Sequence, residues 1–152
     1  GSVKNAFALL ATLRGIPQVL YADEVFAVSK DRSQGHGGLR VDFPLEWEKD
    51  PQAKDMHDYF KALFNWRKGC EAVHNGDLKH FLRRDNTYAM FRIAEKEKVF
   101  VFVNTEAEVQ VPWADYSEIG TDAQWFDVIT GQAVDPAHLS VAAKSNIILQ
   151  TR

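Results

Sequence analysis

The sequence predicts an α+β protein in two parts. A helix–strand–helix segment of the β/α-repeat kind comes first, and an antiparallel β-sandwich follows. Three observations carry this. A short apolar run, Ile16 to Tyr21, lies between Gly15 and the acids Asp23-Glu24. Such a run, too short for a helix, reads as a strand buried on both faces, as in parallel sheets covered by helices. Helical patterns flank it on both sides. After Gly76 the texture changes to short alternating runs separated by polar turns, the pattern of a sandwich.

Each element has its own signals. Val3, Phe7, Leu10 and Leu13 recur at helical spacing, so residues 3–13 form a helix, with Ser2 as N-cap and Gly15 at C′. The strand 16–21 follows. Residues 25–50 show no period and contain three glycines between Gly35 and Gly38. A loop of that length is usually functional, and one following the carboxyl end of a barrel strand stands at the active-site rim. Residues 51–68 make the strongest helix. Asp50 caps it, Pro51 occupies N1, and Met56, Tyr59, Phe60, Leu63 and Phe64 form one stripe. Lys68 sits at the negative end of the dipole and Gly69 stops the helix.

The domain boundary is expected near 72–76, giving 1–72 as the barrel-like part and 73–152 as the sandwich. Asp77–Arg84 is a candidate strand, and Asp85-Asn86 a turn. Thr87–Ala94 alternates, with Tyr88 and Met90 on one face and Ala89, Phe91 and Ile93 on the other. Val99–Val103 is an apolar strand. Shorter strands are expected around Val109–Val111, Trp125–Thr130, Leu139–Ala142 and Asn146–Gln150.

Composition narrows the function classes. At 152 residues the chain suits one domain or two small ones. Apolar residues make up 45% and charged residues 26%, ordinary for a globular protein. Net charge is −3, and no basic cluster exceeds Arg83-Arg84, which speaks against nucleic acid. No apolar run is long enough to span a membrane. Gly1 to Lys4 lacks the charged leader and apolar core of a signal peptide. This leaves open whether a parent protein is cytoplasmic, periplasmic or secreted. The one cysteine, Cys70, excludes an internal disulfide. It reads as a small packed residue, since no base or cation stands beside it in sequence to activate a thiol.

Two stretches carry a family resemblance. Gly15-Ile16-Pro17-Gln18-x-x-Tyr21-x-Asp23-Glu24, preceded by Leu10-x-x-x-Arg14, resembles the last barrel strand of the α-amylase family of glycoside hydrolases, nearest its neopullulanase and cyclomaltodextrinase branch. Arg40-x-Asp42-Phe43-Pro44-x-x-Trp47 resembles that family's rim loop, with Leu45 and Glu46 in place of two glycines. Leu63-x-Asn65-Trp66-Arg67-Lys68 is similar to the end of its final barrel helix. Ala22 departs from the glycine usual there. The resemblance implies the last helix–strand–helix of a TIM (β/α)8 barrel followed by the family's C-terminal sandwich. It implies a parent that cleaves α-glucosidic bonds in starch-, pullulan- or cyclodextrin-like substrates with retention. It also implies that the catalytic Asp, Glu and Asp, and the usual calcium ligands, lie on earlier strands. No Asn-His-Asp motif occurs here, so this chain alone is expected to be inactive.

The candidate substrate-binding residues are Arg40, Asp42, Trp47 and Glu24. A guanidinium offers several donors to sugar hydroxyls. Arg40 can equally pair with Asp42 or Glu46, and Trp47 can stack on a sugar ring or fill an apolar gap. Asp23 and Glu24, adjacent on a strand, would face opposite ways. They therefore cannot together flank one glycosidic bond, which for retention needs carboxyls about 5–5.5 Å apart. No catalytic residue, cofactor or metal is expected. The five histidines (His36, His57, His74, His80, His138) lack zinc spacing. Asp31, Asp42 and Asp50 lack the pattern of a calcium loop, and Gly35–Gly38 lacks that of a phosphate loop. A different class of function also fits, a non-catalytic carbohydrate- or protein-binding module whose Trp113, Tyr116 and Trp125 form a stacking platform. Finally, a barrel strand without neighbours has open edges. It should either be covered by the 25–50 loop or self-associate with a second copy.

Overall fold

The computed structural model describes residues 2–29, 33, 35–120 and 122–151, without the side chains of residues 2, 36 and 39. The expected Ser2 cap and Asp31 lie outside the described atoms. The chain divides into two compact units, one formed by Gly1–Gly15 with Ala62–Arg152, the other by Ile16–Lys61.

In the larger unit, α1 (Ser2–Thr12) is an amphipathic helix whose Phe7, Ala8 and Ala11 are buried. Small residues on that face let it lie close against β3 (Lys98–Asn104) and β8 (Asn146–Thr151). Asn5, also buried, pins it there. Its Nδ2 donates to the Asn104 carbonyl at 2.9 Å, and its Oδ1 accepts from Asn146 Nδ2 at 3.0 Å. Helix α1 therefore joins the sandwich, on the other side of the boundary expected at 72/73. α2 (Pro51–Arg67) begins on its Asp50 cap, whose Oδ1 accepts from the Gln52 amide at 2.8 Å. The division between the units falls within this helix. A further short helix, α3 (Glu71–Asn75), follows.

The sandwich is built on a six-stranded sheet in the order β1-β2-β3-β8-β5-β6, antiparallel throughout. Its other strands are β1 (Asp77–His80), β2 (Thr87–Ile93), β5 (Trp125–Asp127) and β6 (Ala133–Val134). β4 (Val109–Gln110) and β7 (Ser140–Val141) form a separate pair. The register places Met90 opposite Val101 and Val101 opposite Ile148. Those residues face α1 and α3. Ala89, Phe91, Phe100, Phe102 and Leu149 face the other way. There they pack with Trp125, Tyr116, Val111 and Val141. β3 is thus buried on both faces, as its continuous apolar run requires. A 3-10 helix over Trp113–Ile119, unannounced by any period in the sequence, closes this second core with Tyr116.

The structure corrects three expectations. Residues 16–21 form no strand. Ile16 is 97% exposed, Leu20 54% and Tyr21 51%, and no described segment pairs with their backbone. An extended apolar run becomes a strand only when neighbours accept and donate its hydrogen bonds, and Pro17 has no N–H to give. Second, of the two outcomes expected for this run, cover by the loop is not met among the described residues, which leave Ile16, Leu20 and Tyr21 exposed. Third, β1 stops at His80 rather than Arg84. Asp85 lies at φ 47, in the left-handed region, and the Arg84 carbonyl turns back to accept from the Thr87 amide and hydroxyl.

Candidate functional site

All four predicted site residues belong to the smaller unit, Ile16–Lys61. Its core is small: Ala22, Val25 and Ala53, with Ala27, Phe43 and Trp47 packed against them. Ala22 sits at φ 70, a conformation a glycine adopts freely and an alanine only at a cost. This is the position where the family resemblance has glycine. The left-handed turn throws Asp23–Val25 into a 3-10 helix, not a strand. The strand alternation expected for Asp23 and Glu24 therefore does not apply, since successive residues of a 3-10 helix lie about a third of a turn apart.

A groove of about 750 Å³ opens on this unit, lined by Phe26, Val28, Phe43, Leu45, Trp47 and Asp50 among others. Of the four candidates only Trp47 lines it. The indole packs on the small core, and its ring centroid lies 4.3 Å from that of His57, so it fills an apolar gap. Glu46, one expected partner of Arg40, instead accepts from Lys49 Nζ at 2.5 Å. Arg40 and Asp42 are exposed, and among the described residues neither side chain has a hydrogen bond or ion pair. Tyr21 Oη donates to the Val41 carbonyl, which ties the apolar run to the loop just beside Arg40. Glu24 is half-buried in its turn. Among the described residues no hydrogen bond or ion pair joins any two of the four.

The groups with shifted proton affinities lie elsewhere, and structure explains them. Burial pushes the thiol of Cys70 and the phenol of Tyr116 up to about 12. The thiol is therefore not poised as a nucleophile. Hydrogen bonds from Lys54 and His138 lower Asp58 and Asp135 respectively. Burial, then the nearby Arg14, lowers Arg92. A second groove of about 660 Å³ in the sandwich has Glu71, Asp77, Glu95 and Glu97 on its rim. Glu97, however, is engaged in holding the fold. Its carboxylate accepts from the Ala72 amide and from Gln150 Nε2, each at 2.6 Å. Among the described residues no three His, Cys, Asp or Glu side chains converge to hold a metal ion. None of the described helices is long and apolar enough to cross a membrane.

Comparison with known proteins finds similar sequences and similar folds. Residues 78–150 match the model of the cyclo-malto-dextrinase C-terminal domain. Neopullulanase 2 of Thermoactinomyces vulgaris is 26% identical over 126 residues, which span 81% of this chain and 20% of that protein. The segment matched by that model, just under half of the chain, is thus similar to a C-terminal domain of the cyclo-malto-dextrinase kind. The fold agrees. AmyP, solved in complex with maltose, superposes with a TM-score of 0.77 at 17% identity, covering 97% of this chain and 34% of its own. The α-amylase of Geobacillus thermoleovorans gives 0.71 at 18%, covering 99% and 33%. Cyclic α-maltosyl-(1→6)-maltose hydrolase of Arthrobacter globiformis gives 0.69 at 21%, covering 99% and 31%. The chain thus spans about a fifth of the curated relative and about a third of each of these solved structures. Its antiparallel sandwich matches the cyclo-malto-dextrinase C-terminal domain over residues 78–150.

Proposed function

We propose that this chain is the closing part of an α-glucan-hydrolysing glycosidase. The sandwich would be the parent's C-terminal domain, and residues 1–72 would supply the last helix–strand–helix of its (β/α)8 barrel. The parent would cleave α-glucosidic bonds of starch-, pullulan- or cyclodextrin-like substrates with retention. Arg40, Asp42 and Glu24 would stand near the substrate, and Trp47 would support the loop that carries Arg40 and Asp42. The observation that carries this reading is the exposure of Ile16, Leu20 and Tyr21 in a run that otherwise has the character of a buried strand. Such a surface fits a sheet whose other strands lie on different sequence. The relatives' greater length is consistent with that.

On this reading the nucleophile and the acid, both of which retaining hydrolysis needs, would lie on the parent's earlier strands. The purified chain is expected to release no reducing ends from starch, pullulan or cyclodextrin. The product of a reading frame extended upstream should hydrolyse at least one of them. Hydrolysis by this chain alone, or an upstream sequence without β/α repeats, would overturn the proposal.

The same open edges give the chain a partner in isolation, a second copy of itself. Sedimentation should show concentration-dependent dimers, abolished by the double substitution Ile16→Asp with Leu20→Asp. A chain that stays monomeric at millimolar concentration would contradict this.

A further inference from the structure

Among the described residues the sandwich unit holds one fully buried cation. Arg92 lies on β2 opposite Val99, on the face that packs against the helices, and is 1% exposed. Among the described residues no carboxylate forms an ion pair with it. Its partners are carbonyls. Nη1 donates to Thr12 O at 3.0 Å and Nη2 to Gly76 O at 2.9 Å. Thr12 is the last residue of α1 and Gly76 caps α3. Helix C-termini leave carbonyls unpaired and carry partial negative charge, and a planar guanidinium can serve two at once. A second arginine works at the same place. Arg67 Nη2 donates to Gly15 O at 3.2 Å. The Arg14 guanidinium, alongside, stands 3.9 Å from the Asp77 carboxylate.

Stability alone does not call for an arginine here. A buried charge carries a desolvation cost, and apolar groups of similar volume commonly do as well or better. The Nε of Arg92, buried and without a partner, adds to that cost. A methionine would fill the space yet bond neither carbonyl. What only the guanidinium supplies is a fixed link from the sheet to the ends of two helices.

We propose that Arg92 is a positioning residue. It locks the C-terminal ends of α1 and α3 to β2, and with Arg67 it fixes Thr12–Gly15, the point at which the chain leaves the sandwich unit. Helix α1 is then held to the sandwich sheet through its C-terminal end as well as through its buried face. The proposal does not depend on the glucan-hydrolase reading, because its test needs no substrate.

The test is residue-resolved amide exchange on the full chain, with tryptic cleavage after Arg14 as a second readout. In Arg92→Met the last-turn amides of α1 and the Gly76 amide should exchange about ten- to a hundredfold faster, the consequence of losing charge-assisted hydrogen bonds. Val101 and Ile148, at the centre of the sheet, should change far less. Cleavage after Arg14 should accelerate in parallel. Arg92→Lys, which can reach one carbonyl, should restore protection to one helix end and not the other. Equal acceleration of helix and sheet amides, or no acceleration, would overturn the proposal. If Arg92→Met fails to fold, Arg67→Met decides. Faster exchange and cleavage confined to the Arg14–Ile16 region support the lock, and unchanged rates sink it.

Discussion

Replacing Trp125 by alanine is expected to cost the sandwich about 4 kcal/mol, the range for large aromatic side chains removed from well-packed cores. Trp125 is 1% exposed on β5, held between Thr151 on one side and Val134 on the other. Its ring meets Trp113 edge to face at 5.4 Å and Phe91 at 6.2 Å. Whole domains are stable by only about 5–15 kcal/mol, so a large share of the margin goes with this one side chain. In urea, at roughly 2 kcal/mol per molar, the midpoint should fall by about 2 M. Trp113→Ala, at a half-buried position, should cost clearly less. The experiment also weighs the binding-module alternative. A platform for sugar rings must present its faces to solvent, and Trp125 presents none. Loss of glycan binding in Trp125→Ala would therefore report unfolding. An unchanged urea midpoint would instead remove Trp125 from the core and revive the platform.

The sandwich was legible in the sequence because its strands carry their own facing. Tyr88 and Met90 point one way, Ala89 and Phe91 the other, and the pairing of β2 with β3 follows that alternation. Continuing two residues further along the face reaches Arg92, a charge at an inward position. That is the signal by which its burial could have been foreseen. The apolar runs 16–21 and 99–103 show the limit of such reading. Both look like strands buried on two sides. Residues 99–103 find β2 and β8 within this chain, whereas no described strand pairs with residues 16–21, and Ile16, Leu20 and Tyr21 stay exposed. A hydrophobic run states a demand for burial; neighbours decide whether it is met. The short elements α3, β6 and the Trp113–Ile119 turn left no periodic trace, since a few residues cannot display a period. The candidate site was legible only as motif. Arg40-x-Asp42 names residue types without geometry. The structure leaves both side chains exposed, and only Trp47 gains a place in a groove.

Gly76→Ala should be nearly as damaging as the loss of Trp125, for a reason invisible in the backbone angles. Gly76 has φ −68 and ψ 159, which any residue adopts, and at such a position alanine usually adds stability by stiffening the unfolded chain. Here space decides instead. A Cβ would stand 2.4 Å from the Ala72 carbonyl oxygen and 2.7 Å from that of Ile93. Both obstacles are backbone, one in α3 and one at the end of β2, so neither can rotate away. The chain can relieve the clash only by moving Gly76. That strains its amide bond to Ala72 O, 3.1 Å long, and the carbonyl held by Arg92. Overpacking of this kind costs about 3 kcal/mol, and for a chain of this length that lowers Tm by roughly 6–12 °C. Gly69→Ala is the control. Its Cβ would meet only Trp66 O, at 4.0 Å, and its Tm should stay within about 2 °C of the parent. A Gly76→Ala protein that melts with the parent would show that α3 does not approach β2 this closely. The carbonyl of Gly76 would then no longer be fixed where Arg92 can hold it.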